Sequence, residues 1–356
     1  MPLVGDAVKI NAVTEMAAVP AREWGVPAVV GESDYVTKNT PKLYYSVADV
    51  KNDHGAGTNV TKAAEGLFAQ GVNKIYALSM EVNTPGSPTA TEVENALAKF
   101  ASYAENNLIN GIMLAGITAD QDTLTAKLKA FADGYNLVFV VTNKADETVA
   151  NIVSQASGLA SPNGVYLAHA DSDITEDVAA QGLGVLMTLK PWVTLFWKPI
   201  TTSVNEYFAP GDVPTLESGK VNVIAEIANA NRISNGLTTG GDPKFIDVTR
   251  TKYYAIAKIK DAIASLRLKM EKIPYDNRGL GMVKSVITKA LEEMVLVGAL
   301  REHRPEENLP AYQVVMPQLS AISDTDKANR VLKNVYVKGY LAGDIHTFEV
   351  NLVITI

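Results

Sequence analysis

Residues 59–80 read NVTKAAEGLFAQGVNKIYALSM. NVTKAAEGLFAQG (59–71) reads as a helix closed by a C-cap glycine, and KIYALSM (74–80) as a strand. The same alternation continues on both sides. Upstream, GVPAVVGES (25–33) is an apolar run closed by Gly31 and reads as a buried strand, and LYYSV (43–47) reads as another. Downstream, ATEVENALAKFASYAE (90–105) is a helix whose Val93, Leu97, Phe100 and Tyr103 share a face. GIMLAGI (111–117), NLVFVVT (136–142) and GVYLAHA (164–170) are strands, separated by helices at 122–134 and 146–157. DITEDVAAQGLGVLMTL (173–189) reads as a further helix. This βαβα order predicts the α/β class: an open, largely parallel sheet with helices on its faces.

The pattern changes near residue 200. Residues 201–249 are rich in Pro, Gly, Asn and Thr and read as a joint between domains. Two amphipathic helices follow. Residues 253–270 carry Tyr253, Ile256, Ile259, Ile263, Leu266 and Met270 on one stripe. Residues 279–300 carry Leu280, Val283, Ile287, Leu291, Met294 and Val297 inside. Strand-like runs then occupy 311–316, 331–343 and the terminal TFEVNLVITI. In that last run Phe348, Val350, Leu352, Ile354 and Ile356 alternate with other residues, the period of a half-buried strand. No later strand of the chain is there to pair with it, and an uncovered apolar edge is an aggregation hazard. VKINAV (8–13), with Val8 and Ile10, alternates more weakly.

Composition bounds the function. The 356 residues are 47% hydrophobic and 20% charged, with no cysteine, which leaves no disulfide scaffold and no cysteine-ligated zinc. The first residues lack a basic region followed by an apolar one, so no signal peptide is expected, and no run is long enough to span a bilayer. Residues 241–356 balance at +3 within a chain of −7, so residues 1–240 carry −10. That split predicts two surfaces facing different environments. The basic excess is too small to argue for nucleic acid.

Three features could carry chemistry. NDHGAGTNV (52–60) places Gly55 and Gly57 before a helix where a phosphate could sit, but matches no phosphate-loop spacing; the plain reading is a turn with Thr58 or Asn59 as N-cap. Asp171-x-Asp173-x-Thr175 has the spacing of aspartate-dependent phosphatases. The competing reading is that Asp173 caps a helix with Glu176 and Asp177 in its first turn. His54, His169, His303 and His346 are scattered without ligand spacing. No cofactor and no metal site is expected, and no motif demands an enzyme.

The C-terminal third resembles the contractile tail sheath proteins of phages and related injection machines. The likeness rests on an ordered set of motifs. NGLTTGGDPKFIDVTRTKYYAIAKIKDAI (235–263) is similar to that family's Gly/Thr-rich turn, short "inv-R" strand and helix. Gly298-Ala299-Leu300 ends a helix as the family's Gly-Ala-Leu does. AYQVVM, a polar link containing DTDKANR, VYVKGYLAG and the closing strand follow in order. VPAVVGES and AAEGLFAQGVNKIYAL resemble units of the N-terminal half. The likeness covers roughly residues 1–80 and 230–356. Asp344-Ile345-His346-Thr347 replaces the proline usual before the closing strand.

The resemblance implies an N-terminal arm (1–24), the first strands of a core domain (25–41), an α/β outer domain (42–225), a C-terminal α+β core domain (226–345) and a donated strand (346–356). Terminal strands would be exchanged between subunits. It also implies a homo-oligomer of stacked, six-membered rings in a helical sheath, with a tail tube, a baseplate and a tail terminator as partners. It implies no direct nucleic-acid contact and no membrane insertion. The setting would be a virion tail or injection-particle sheath assembled in the host cytoplasm. Lys327, Arg330 and Lys333 would form a tube contact if 325–332 is helical. The rivals are a phosphate-handling α/β enzyme using Asp171 and Asp173, and a non-contractile tail or tube component.

Overall fold

The computed structural model describes residues 24–346. The expected arm at Val8 and Ile10, and the strand carrying Phe348, Val350, Leu352, Ile354 and Ile356, lie outside the described residues. In chain order the first elements are β1 (Pro27–Gly31), β2 (Lys42–Tyr44), α1 (Val47–His54), α2 (Asn59–Ala69), β3 (Ile75–Ser79), α3 (Ala90–Ala98), α4 (Ala101–Glu105) and β4 (Gly111–Leu114). Then come α5 (Asp122–Tyr135), β5 (Phe139–Val141), α6 (Val149–Leu159), β6 (Gly164–Ala168), α7 (Val178–Thr188), α8 (Val213–Ser218), β7 (Asn222–Glu226) and β8 (Asn231–Ile233). The last are α9 (Ile246–Lys269), α10 (Asn277–Leu296), β9 (Tyr312–Val315), α11 (Asp324–Ala328) and β10 (Tyr336–Gly339). The described chain divides into two compact units, 24–254 with 341–346, and 255–340.

The first unit is an α/β sandwich. Its strands run in the order β2-β3-β1-β4 and β5-β6-β7-β8. The two sets join where Gly111 bridges Val138 in parallel, with the Ile112 N–H donating to the Val138 carbonyl at 2.9 Å. β3, β1 and β4 are parallel, as are β5, β6 and β7; β2 and β8 are antiparallel edges. Every residue of β1, β4, β5 and β6 is buried, as strands covered on both faces require.

Alternate residues feed two cores. Val29, Met113, Val140 and Leu167 pack with Val60 and Leu67 of α2 and Leu183 and Leu186 of α7. Val30, Ile112, Phe139 and Tyr166 pack with Leu97 of α3, Leu128 of α5 and Ile152 of α6. Helices α2 and α7 approach closely because each offers a glycine. A Cβ on Gly66 would lie 3.1 Å from Ala180 Cβ, and one on Gly184 would lie 2.8 Å from Gln70 Cγ.

The structure departs from the sequence reading at several places. The helix expected over 173–189 starts at Val178, because Asp177 and not Asp173 is its N-cap: Asp177 Oδ1 accepts the Ala180 N–H at 2.9 Å. The helix read over 90–105 breaks at Lys99–Phe100, and α1 was not foreseen. The expected joint, 201–249, contains α8, β7 and β8, and β7 pairs in parallel with β6. Between the Gly/Thr-rich turn and α9 no short strand forms; α9 begins at Ile246, seven residues before the expected start. β1 sits between β3 and β4 in the α/β sheet, and 25–41 and 226–254 belong to the first compact unit.

The second unit holds most of α9, α10 and a two-stranded antiparallel ribbon, with Tyr336 opposite Val315 and Gly339 opposite Tyr312. Leu280, Ile287, Leu291 and Met294 of α10 are buried as the stripe predicted. Val297 is instead exposed, and so are Ile256 and Ile263 of α9.

Candidate functional site

Five expected site positions lie outside the described residues, so the site is built here from the β9–β10 ribbon. β9 and β10 form a ribbon that no third strand extends among the described residues. A lone two-stranded ribbon is marginal in water. This one is fastened from one end. The Tyr340 N–H donates to the Ala311 carbonyl and the Arg301 N–H to the Tyr340 carbonyl, both at 2.9 Å. Tyr312 hydroxyl bonds Glu292 of α10, and the Arg301 guanidinium lies 4.3 Å over the Tyr340 ring. Gly339 passes so close to Leu300 that a Cβ would meet it at 3.1 Å. Val315 and Tyr336, directly paired, remain more than half exposed (54% and 55%). Val331 is also exposed.

A crevice of about 250 Å³ opens at the carboxyl ends of β4, β5 and β6, where open α/β sheets carry their ligands. It is lined by Thr142, Asn143, His169 and the first residues of α2 and α7. His169 Nδ1 faces the Asp171 carbonyl at 3.1 Å, and burial holds the ring below the ordinary histidine range. Asp171 is not part of the lining. Its Oδ1 accepts the Asp173 N–H and its Oδ2 the Asn205 N–H, each at 3.0 Å, and these bonds hold the carboxylate below its usual range. Asp173 is exposed. Asp171 therefore ties two loops together, and the pair does not converge on a common point. No group of three or more metal-ligating side chains occurs among the described residues.

The glycine stretch is a helix–helix turn. Gly55 is the C-cap of α1 with φ +86°, and Thr58 caps α2 by accepting the Thr61 N–H. His54, at its edge, is fully buried. Its Nδ1 lies 2.7 Å from Ser33 Oγ and its Nε2 3.0 Å from the Tyr44 hydroxyl, which in turn donates to Asp53 at 2.9 Å. Burial pushes the imidazole down to about 4. This network fastens edge strand β2 to α1 and to the end of β1.

No family model matches the chain, and no curated protein sequence matches it. Solved structures do. A chain of the anti-feeding prophage helical sheath in its contracted state matches with a TM-score of 0.72 at 15% identity, over 99% of this chain and 99% of that one. The contracted sheath complex of an extracellular contractile injection system, PVC, gives 0.70 at 14% identity, over 98% and 97%. A sheath tail protein from Desulfitobacterium hafniense gives 0.62 at 10% identity, over 86% and 93%. The chain has the contractile-sheath fold.

On this sheath fold the expected tube contact changes shape. α11 ends at Ala328, and Arg330 has φ +57°, so Lys327 and Arg330 do not share a helical face. Lys327 pairs with Asp324 at 3.2 Å and Lys333 with Asp326 at 2.6 Å. Sequence reasoning saw the cations of this link but not that its own acids engage two of them. It also missed the ring contacts of His346, which no ligand spacing announces. That ring lies against Phe196 and Phe245 of the α/β unit.

Proposed function

We propose that this chain is the structural subunit of a contractile sheath. Copies polymerise helically around a tail tube, on a baseplate and under a tail terminator, as stacked rings of six. Contraction drives the tube through a target envelope. The observation that carries the reading is the match over nearly the whole chain to sheath subunits, ribbon included. The exposed Val315–Tyr336 pair on a two-stranded ribbon is its local counterpart. A ribbon of this kind accepts a further strand by main-chain hydrogen bonds. The alternating strand at 347–356, and the weaker one at Val8 and Ile10, are the donors that a neighbouring copy would supply. New subunit contacts would draw the lattice together while exchanged strands keep it connected.

Negative-stain microscopy of the purified chain tests this. A wide ridged sleeve is expected; a narrow smooth tube or a compact dimer refutes it. Removing residues 347–356 should leave a folded, soluble chain that forms no sleeves. Normal sleeves from the truncated chain would refute strand donation.

A further inference from the structure

Thr142 follows the last residue of β5 and lines the crevice of the α/β unit. It is 7% exposed, yet its Oγ1 has no hydrogen-bond partner among the described residues. Buried hydroxyls are normally paired, so an orphan in a cavity wall points to a partner that the chain itself does not supply. The backbone around it is already satisfied. The Thr142 carbonyl accepts the Ala119 N–H at 2.8 Å. Asn143 Nδ2 donates to the Lys144 and His169 carbonyls, each at 2.9 Å, and its Oδ1 accepts the His169 N–H at 3.1 Å. The ends of β5 and β6 are thus braced against each other, and the crevice is preformed.

The rest of the lining favours negative charge. Asn59 and Lys62 of α2 and Val178 of α7 face the same space. Each helix has 11 residues, and its first N–H groups have no acceptor inside the helix. Thr58 takes only the Thr61 N–H of α2. A helix start carries partial positive charge. Lys62 makes no ion pair among the described residues, while Lys144 lies 3.4 Å from Asp120. The two acids of the lining are engaged by donors of the chain. Glu176 accepts the Ser203 N–H at 3.0 Å, and Asp177 accepts the Ala180 N–H at 2.9 Å. Gly116, with φ +73°, lets the loop after β4 close on Asn59; a Cβ there would lie 2.3 Å from Asn59 Nδ2.

We infer that this crevice is a binding site for a phosphoryl group, held by the Thr142 hydroxyl, the Lys62 ammonium and the N-terminal N–H groups of α2. A tetrahedral oxyanion accepts hydrogen bonds from several directions at once, which suits a hydroxyl, an ammonium and helix N–H groups converging on one space. The volume of about 250 Å³ is several times the ~30 Å³ share of one water, so a phosphate and a small group esterified to it both fit. The site belongs to the α/β unit alone and does not depend on sheath assembly.

Calorimetric titration of the full-length chain tests this, with inorganic phosphate and with glycerol 3-phosphate as probes and chloride balancing the ionic strength. Saturable binding of at least one probe, one per chain, is expected. Thr142→Val keeps the side-chain shape and removes the orphan hydroxyl; Lys62→Gln removes the charge. Each should weaken binding by about tenfold. Without phosphate, Thr142→Val should unfold at a midpoint no lower than wild type, since no bond of that hydroxyl is lost. Preference for glycerol 3-phosphate supports an esterified ligand, and preference for inorganic phosphate supports the free ion. Binding of neither probe overturns the site, as does wild-type affinity in both variants. Should Thr142→Val misfold by circular dichroism, Lys62→Gln, at an exposed position, decides.

Discussion

Two titratable groups, His54 and Asp177, should hide each other's pH dependence. His54 is pushed from 6.5 down to about 4, and Asp177 from 3.8 up to about 6, both by burial. Between pH 6.5 and 4 the unfolded chain protonates His54 and the folded chain does not. Stability is therefore lost on acidification, at about 1.4 kcal/mol per pH unit and about 3 kcal/mol in total. Asp177 has the opposite sign. Between pH 6 and 3.8 the folded chain takes up the proton first, so acidification adds about 3 kcal/mol over nearly the same window. The sum in the wild type is close to flat. His54→Gln keeps a polar group between Ser33 and Tyr44 but no longer titrates, and its stability relative to wild type should rise steadily from pH 6.5 to 4. Asp177→Asn still caps α7, and its relative stability should fall over the same range. Urea denaturation at half-unit pH intervals reads both slopes. A His54→Gln difference that does not change with pH would show that the imidazole is not desolvated as the Ser33–His54–Tyr44 network requires.

Gly66→Val should lose about 2 kcal/mol or more, because its Cβ meets Ala180 Cβ at 3.1 Å and α2 cannot retreat from α7; thermal unfolding checks it. Asp171→Asn with Asp173→Asn should leave sleeve formation intact and remove no phosphatase activity. Magnesium-dependent phosphomonoester turnover by the wild type, lost in the double variant, would favour the enzyme rival. Reversing Lys327, Arg330 and Lys333 to Glu sets like charges beside Asp324 and Asp326. Sheaths without tubes are expected, with extended tube-filled tails at normal yield as the result that removes this link as the tube contact.

The α/β layer was legible because its interior strands are short all-apolar runs and its helices carry single stripes, as at 111–117 and 122–134. β7 and β8 were not, because NVIAE and NRI are short, and their environment comes from β6 and from the loop at 197–200 rather than from local pattern. The start of α9 was hidden by β-branched residues in FIDVTR. That segment is helical because tertiary contacts outweigh propensity: Ile246 is buried, and Arg250 donates to the Leu189 carbonyl at 2.8 Å. Asp173 was read as a cap where Asp177 serves, since either acid satisfies the local rule and only the end of β6 decides between them. Composition could not foresee that Asp324 and Asp326 pair with the cations beside them, nor that His346 stacks on Phe196, 150 residues away in sequence.

The order of the elements along the chain sets a timetable for synthesis. The last strand of the α/β sheet, β8, closes at Ile233, while β10 comes roughly a hundred residues later. At about 5–20 residues per second the sheet has several seconds to fold before the ribbon exists. A nascent chain thus carries a closed α/β sheet while the exposed Val315–Tyr336 pair is still to be made.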